Sequence, residues 1–280
     1  MFGKLLKHDF KAVFKGSLPL ILAALAAAVI GGLSINFMTN ANTRDNDILE
    51  ALIALSTFLS YLVVISAPIG IQIIVFSHFY KNLFTDEGYL TFTLPVKRSS
   101  ILLSKTLNAA IWTAISAATT FILIMVSIAC TGALPAAIDV FESILSIFKF
   151  TSFTDALWIV VYAIMAVLIS VALSVMQINL IQFCITLGAT LVKKHKILAS
   201  VGIYYAVNSA LSFLAQILAI FSIEPITTWF DYISRTDQTP YPYLFAILII
   251  LLIVFIFISV IAVIFYSLSV FRIKSRFNLS

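Results

Sequence analysis

Six stretches of this chain, residues 17–38, 51–80, 106–131, 156–192, 197–223 and 243–271, contain no Asp, Glu, Lys or Arg at all. Each is longer than the roughly 20 apolar residues that a helix needs to cross about 30 Å of hydrocarbon. Backbone groups inside a bilayer must be satisfied within the protein, and the strands of a barrel would be about 10 residues long with alternating polarity. Uninterrupted apolar runs of this length therefore predict six transmembrane helices and an all-α integral membrane fold. Composition agrees: 62% of the 280 residues are apolar and only 10% are charged, which lies outside the balance of water-soluble domains.

The charges between these stretches predict an orientation. With a cytosolic N-terminus, the inner segments carry Lys4, Lys7, Lys11 and Lys15, then Lys81, Lys97, Arg98 and Lys105, then Lys193, Lys194 and Lys196, and finally Arg272, Lys274 and Arg276. Those are fourteen of the seventeen basic residues. The outer segments keep Arg44, Lys149 and Arg235 but hold Asp45, Asp47, Glu50, Asp139, Glu142, Asp155, Glu224, Asp231 and Asp237, nine of the twelve carboxylates. By the positive-inside rule both termini are expected in the cytosol, in a multi-pass protein of the cell (plasma) membrane. The net charge of +5 follows from this topology. Because the basic residues are divided among four juxtamembrane groups, the expected contact is with membrane lipids and not with nucleic acid.

What the spans lack narrows the function. They contain no Asp, Glu, Lys or Arg, which argues against a proton- or sodium-coupled secondary transporter. His8, His78 and His195 fall at the expected cytosolic ends. There is no His-Glu-x-x-His, so no metal site is expected, and no Gly-x-x-x-x-Gly-Lys-[Ser/Thr], so no phosphate-cradling loop either. The chain is expected to be no enzyme and to hold no cofactor of its own; uphill transport would draw its energy from another chain. Cys130 and Cys184 lie inside apolar spans, where a thiol acts as a small hydrophobe. Lysines before Ala24-Leu25-Ala26 resemble a cleavable leader, but the apolar run continues to Phe37 and cleavage is not expected.

Residues 1–15 are amphipathic: Lys4, Lys7, Lys11 and Lys15 share one helical stripe, opposite Phe2, Leu6, Phe10 and Val13. This pattern predicts an interfacial helix on the inner membrane face. Asp9 stands on its apolar side, which lipid anchoring does not explain. Residues 135–149 are amphipathic as well, with Ile138, Phe141, Leu145 and Phe148 spaced among Asp139, Glu142 and Lys149, and should rest on the outer face. The second and fourth spans exceed what a bilayer requires, and Pro68 beside Gly70 predicts a kink in the second. Hydroxyls and amides form helical stripes: Ser56 and Ser60 on the second span, Asn179, Gln182 and Thr186 on the fourth, Asn208, Ser212 and Gln216 on the fifth. Such stripes serve interhelical hydrogen bonding or a weakly polar pathway wall. The sixth span has little polar content apart from Ser259, Ser267 and Ser269 and is expected to face lipid. With no 20- to 50-residue repeat and no low-complexity linker, residues 1–280 are expected to form a single transmembrane domain.

The most specific segment is residues 79–105, Phe-Tyr-Lys-Asn-Leu-Phe-Thr-Asp-Glu-Gly-Tyr-Leu-Thr-Phe-Thr-Leu-Pro-Val-Lys-Arg-Ser-Ser-Ile-Leu-Leu-Ser-Lys. An acidic residue, a Gly, a Leu/Phe run ending in Leu-Pro, basic residues and Ile-Leu-x-x-Lys follow one another as Glu87, Gly88, Leu90, Leu94-Pro95, Lys97-Arg98 and Ile101-Leu102 through Lys105. This resembles the loop between the second and third helices of ABC transporter permeases of the type-2 class, the family of O-antigen, drug and peptide exporters. The match covers about 27 residues; the rest of the chain shares only the organisation of six spans, an amphipathic start and cytosolic termini. The stretch between the fifth and sixth spans is shorter than in some members.

The resemblance implies that residues 81–105 form a coupling segment that docks on a separate ABC ATPase subunit, where ATP and Mg would bind. It places Asp86, Glu87, Gly88, Tyr89, Leu90, Leu94, Pro95, Lys97 and Arg98 at or near that surface. It also implies a second permease copy, as a homodimer or related heterodimer, with the second and fifth helices central, so that Ser56, Ser60, Asn208, Ser212 and Gln216 would border the pathway. The expected function is export of an amphipathic or hydrophobic solute such as an antimicrobial peptide, a drug or a lipid-like molecule. Two alternatives are a secondary transporter or facilitator without an ATPase, and a non-transport membrane scaffold or signalling protein.

Overall fold

The computed structural model describes residues 2–40, 47–85, 88, 98–147, 153–192, 194–236 and 241–276. Among the described residues there are seven helices: α1 Phe2–Asn40, α2 Asp47–Phe84, α3 Arg98–Thr131, α4 Leu134–Ile147, α5 Phe153–Leu191, α6 Lys196–Thr236 and α7 Tyr241–Arg276. All but the 14-residue α4 are long and apolar enough to cross a membrane, and the six uncharged stretches lie within them to one residue. Their outward surface is of the kind that only lipid solvates: Phe58, Phe121, Phe213 and Phe221 are each more than 60% exposed, far more apolar exposure than a water-soluble monomer carries. The chain is built as a multi-pass membrane protein.

The helices group into two compact units, residues 1–149 and 150–280. In the first, α1 packs against both α2 and α3. Contacts of α1 with α2 pair Asp9 with His78, Gly16 with Ile74, Gly31 with Ser60 and Ser34 with Ser56. One number rises as the other falls, so these two helices are antiparallel. Contacts with α3 pair Asp9 with Lys105, Phe14 with Trp112, Gly32 with Ser127 and Asn36 with Thr131. Both numbers rise together, so α1 and α3 are parallel neighbours in constant register. Ala24, Ala27 and Ala28 of α1 meet Val64 and Ala67 of α2 and Leu123 of α3 in the core; small side chains let the three backbones approach, which is how helices gain packing contacts in a solvent as apolar as themselves.

In the second unit α5 packs against α7 and α6. Tyr162 donates to the Leu244 carbonyl at 2.5 Å and Asn179 Nδ2 to the Ala262 carbonyl at 3.1 Å, so α5 and α7 are parallel. The core joins Leu180 and Cys184 to Phe265, flanked by Tyr204, Val207 and Leu211 of α6. A tight reversal with His195 at φ 56° folds α6 back on α5, and a Cβ on Gly188 would lie 2.6 Å from the Ser200 backbone nitrogen. Gly188→Val should therefore cost about 1–3 kcal/mol by overpacking. Gly202, with nothing within 4 Å of its Cβ position, should tolerate Ala with unchanged or slightly raised stability. Thermal unfolding in detergent checks the pair, and equal melting temperatures for the two variants would contradict the close contact at Gly188.

Two expectations change. The amphipathic stretch 1–15 is not a separate interfacial element: α1 runs unbroken from Phe2 through Pro19 to Asn40. The sixth span, α7, is not the most exposed helix, since Ala262, Phe265 and Ser269 are buried, whereas the most apolar stretch of α6 contains no buried residue. A helix matching the second amphipathic stretch is present as α4, with Ile138 and Phe141 exposed. Pro68 lies inside α2, which continues through it.

Candidate functional site

The first turns of α1 pack part of their apolar side against α3. Phe10 stacks on Trp112 of α3 with ring centroids 5.1 Å apart, Phe14 lies 6.4 Å from the same ring, and Val13 is 1% exposed. Lys4, Lys7, Lys11 and Lys15 remain exposed on the other side. This arrangement explains why a carboxylate belongs among the apolar positions. Asp9, fully buried, accepts at Oδ1 from Lys105 Nζ at 2.5 Å, and Lys105 is itself only 4% exposed.

Two residues of α2 complete the cluster. His78 Nε2 lies 3.3 Å from Asp9 Oδ1, while Asn82 Nδ2 donates to Asp9 Oδ1 at 3.4 Å and stands 3.0 Å from His78 Nε2. A single ring nitrogen cannot donate to Asp9 and accept from Asn82 at once. Its proton therefore selects between two hydrogen-bonding patterns of the same four side chains. An ion pair this deeply buried has little net worth for stability against an apolar equivalent, yet losing one partner is expensive. Its clearest effect is to fix which turn of α1 faces which turns of α2 and α3.

The cluster sits at both ends of the connection between α2 and α3. His78 and Asn82 occupy the last two turns of α2, beside the buried Phe79 and Leu83. Lys105 follows Ile101 and Leu102, which are 2% and 1% exposed, so the Ile-Leu-x-x-Lys end of the connection is core. Gly88 is buried too: its N–H donates to the Thr85 carbonyl at 2.8 Å, and a Cβ there would lie 2.6 Å from the Leu83 carbonyl oxygen.

Of the other residues expected to couple to an ATPase, Arg98 opens α3, while Asp86, Glu87, Tyr89, Leu90, Leu94, Pro95 and Lys97 lie outside the described residues. Among the residues expected to border a pathway, Ser56 Oγ lies 3.0 Å from Ser34 Oγ and donates to the Ile53 carbonyl at 2.8 Å, and Ser60 is buried against Gly31. Both are engaged in packing α2 on α1. In the second unit Asn208 is half-buried and Ser212 and Gln216 are exposed along α6. The Asn179, Gln182 and Thr186 stripe is buried, with Asn179 and Thr186 bonded to backbone carbonyls.

Asn82 and Trp112 were not singled out by sequence reasoning, and the Asp9–Lys105 pairing spans 96 residues. The available signal was the misplaced carboxylate on an otherwise apolar stripe. Among the described residues no group of His, Cys, Asp and Glu is arranged to hold a metal ion. The chain matches no family model, no curated protein and no solved structure.

Proposed function

We propose that this chain is the membrane-spanning permease subunit of an ATP-driven exporter, with hydrolysis of ATP carried out on a separate ABC ATPase subunit and a second permease copy completing the pathway. The supporting observation is the buried Asp9 cluster, which ties both ends of the α2–α3 connection to α1. In the type-2 class that the sequence of this connection resembles, the corresponding segment receives the movement of the ATPase. A push on a connection pinned in this way reaches α1, α2 and α3 together, because a buried charge pair resists being pulled apart. The cargo is amphipathic or hydrophobic, since the spans carry no charge to pair with a strongly ionic solute. On this reading the termini and the α2–α3 connection lie in the cytosol of a plasma-membrane protein.

The purified chain alone should neither bind nor hydrolyse ATP. Co-expressed with an ABC ATPase subunit from the same organism, it should co-purify as a stable complex whose hydrolysis rises with at least one amphipathic peptide, drug or lipid. Hydrolysis by the isolated chain, or failure to retain any such ATPase, would overturn the proposal.

A further inference from the structure

Three buried polar atoms on α3 have no hydrogen-bond partner among the described residues: Ser104 Oγ, Asn108 Oδ1 and Trp112 Nε1. Their residues are 0%, 3% and 1% exposed. They occupy every fourth position, so they form one row along the helix, with about 6 Å of rise between neighbours. A fourth orphan, Asp9 Oδ2, comes to the same turns, because Asp9 Oδ1 binds Lys105, which adjoins Ser104. A buried polar atom left unsatisfied costs about 1–3 kcal/mol, so a row of three along one helix, with a fourth at the same level, calls for a ligand.

The chemistry of the four atoms identifies it. A metal cation would find oxygens at Asp9, Ser104 and Asn108, but it would meet the Lys105 ammonium and leave the indole N–H of Trp112 unsatisfied. An anion would face the Asp9 carboxylate. The set holds two pure acceptors, one pure donor and a hydroxyl that does either, which matches a neutral molecule able to donate and accept twice. We infer that Ser104, Asn108, Trp112 and Asp9 form a binding site for a short chain of internal water molecules running along α3. Bridging water of this kind is nearly as favourable as a direct hydrogen bond. It supplies the free oxygen of Asp9 with donors, so the carboxylate keeps its charge beside Lys105. The inference is independent of any transport activity.

The test uses the whole chain in lipid nanodiscs with ¹⁵N-labelled tryptophan. The chain has three Trp residues, and the Trp112 indole signal is identified by its loss in Trp112→Phe. Magnetisation transferred selectively from water protons should reach the Trp112 N–H, and Ser104→Ala with Asn108→Leu should abolish the transfer. A parent-like thermal unfolding profile in detergent and an unchanged Trp112 indole line width report that the first unit of the variant is folded; if it is not, Ser104→Ala alone should weaken the transfer. Absence of transfer in the parent protein, persistence of full transfer in the folded double variant, or a sodium- or potassium-dependent shift of the Trp112 signal would each overturn the water site.

Discussion

Asp9→Ala is expected to destabilise the folded protein by about 3–5 kcal/mol, the usual cost of deleting one member of a buried ion pair. The variant removes the carboxylate that compensates the Lys105 ammonium, in a place where Lys105 is 4% exposed. It also takes the shared acceptor away from His78 and Asn82. Thermal unfolding in detergent should show a large fall in the midpoint. The decisive companion is Asp9→Leu with Lys105→Met, which removes both charges and keeps volume. Stability should return to near the parent value, because the desolvation cost of both ions disappears together with their attraction. His78 and Asn82 can still bond one another, being 3.0 Å apart. A double variant as unstable as the single one would show that the Asp9–Lys105 charge pair is not what the fold depends on here. If the chain is the proposed permease and the cluster transmits movement, the restored double variant should bind the ATPase normally and lose solute-stimulated hydrolysis.

The spans were legible in the sequence because lipid imposes one rule on every residue it touches, and an uncharged run is its direct imprint. The continuity of α1 was not. Locally, Gly16, Ser17 and Pro19 resemble the end of a helix, since Pro19 supplies no N–H to the preceding turn. One local and one tertiary contact override that signal: within α1 Ser17 Oγ donates back to the Val13 carbonyl at 2.9 Å, and from α2 Ile74 packs against Gly16. The exposure of α7 was misjudged for a different reason. Hydroxyls in a membrane helix can satisfy themselves on their own backbone, as Ser259 and Ser269 do on Phe255 and Phe265, so scarcity of polar residues does not mark the lipid-facing side. Asp9 shows how far one sequence reaches. Its position on the apolar stripe announced a partner, but a partner 96 residues away on a parallel helix becomes visible only once the register of α1 and α3 is known.

If the chain is the permease proposed above, reversing the acidic pair of the α2–α3 connection, Asp86→Lys with Glu87→Lys, is expected to abolish binding of the ATPase while leaving the membrane fold intact. Both residues fall between the spans, so neither change enters the hydrocarbon and insertion should be normal. If the two carboxylates meet basic groups on the ATPase, reversal places like charges against one another at the contact. A like-charge contact costs several kcal/mol, and about 4 kcal/mol would weaken the complex roughly a thousandfold. The effect should be specific to this connection. Moving the two lysines to Asp45, between α1 and α2, and Asp47, the first residue of α2, should leave the complex unchanged. Co-purification measured over a salt series distinguishes the outcomes. Wild-type complex formation and transport by the Asp86→Lys, Glu87→Lys protein would mean that these carboxylates are only solvated loop residues, and that the resemblance of this segment to a coupling loop carries no function.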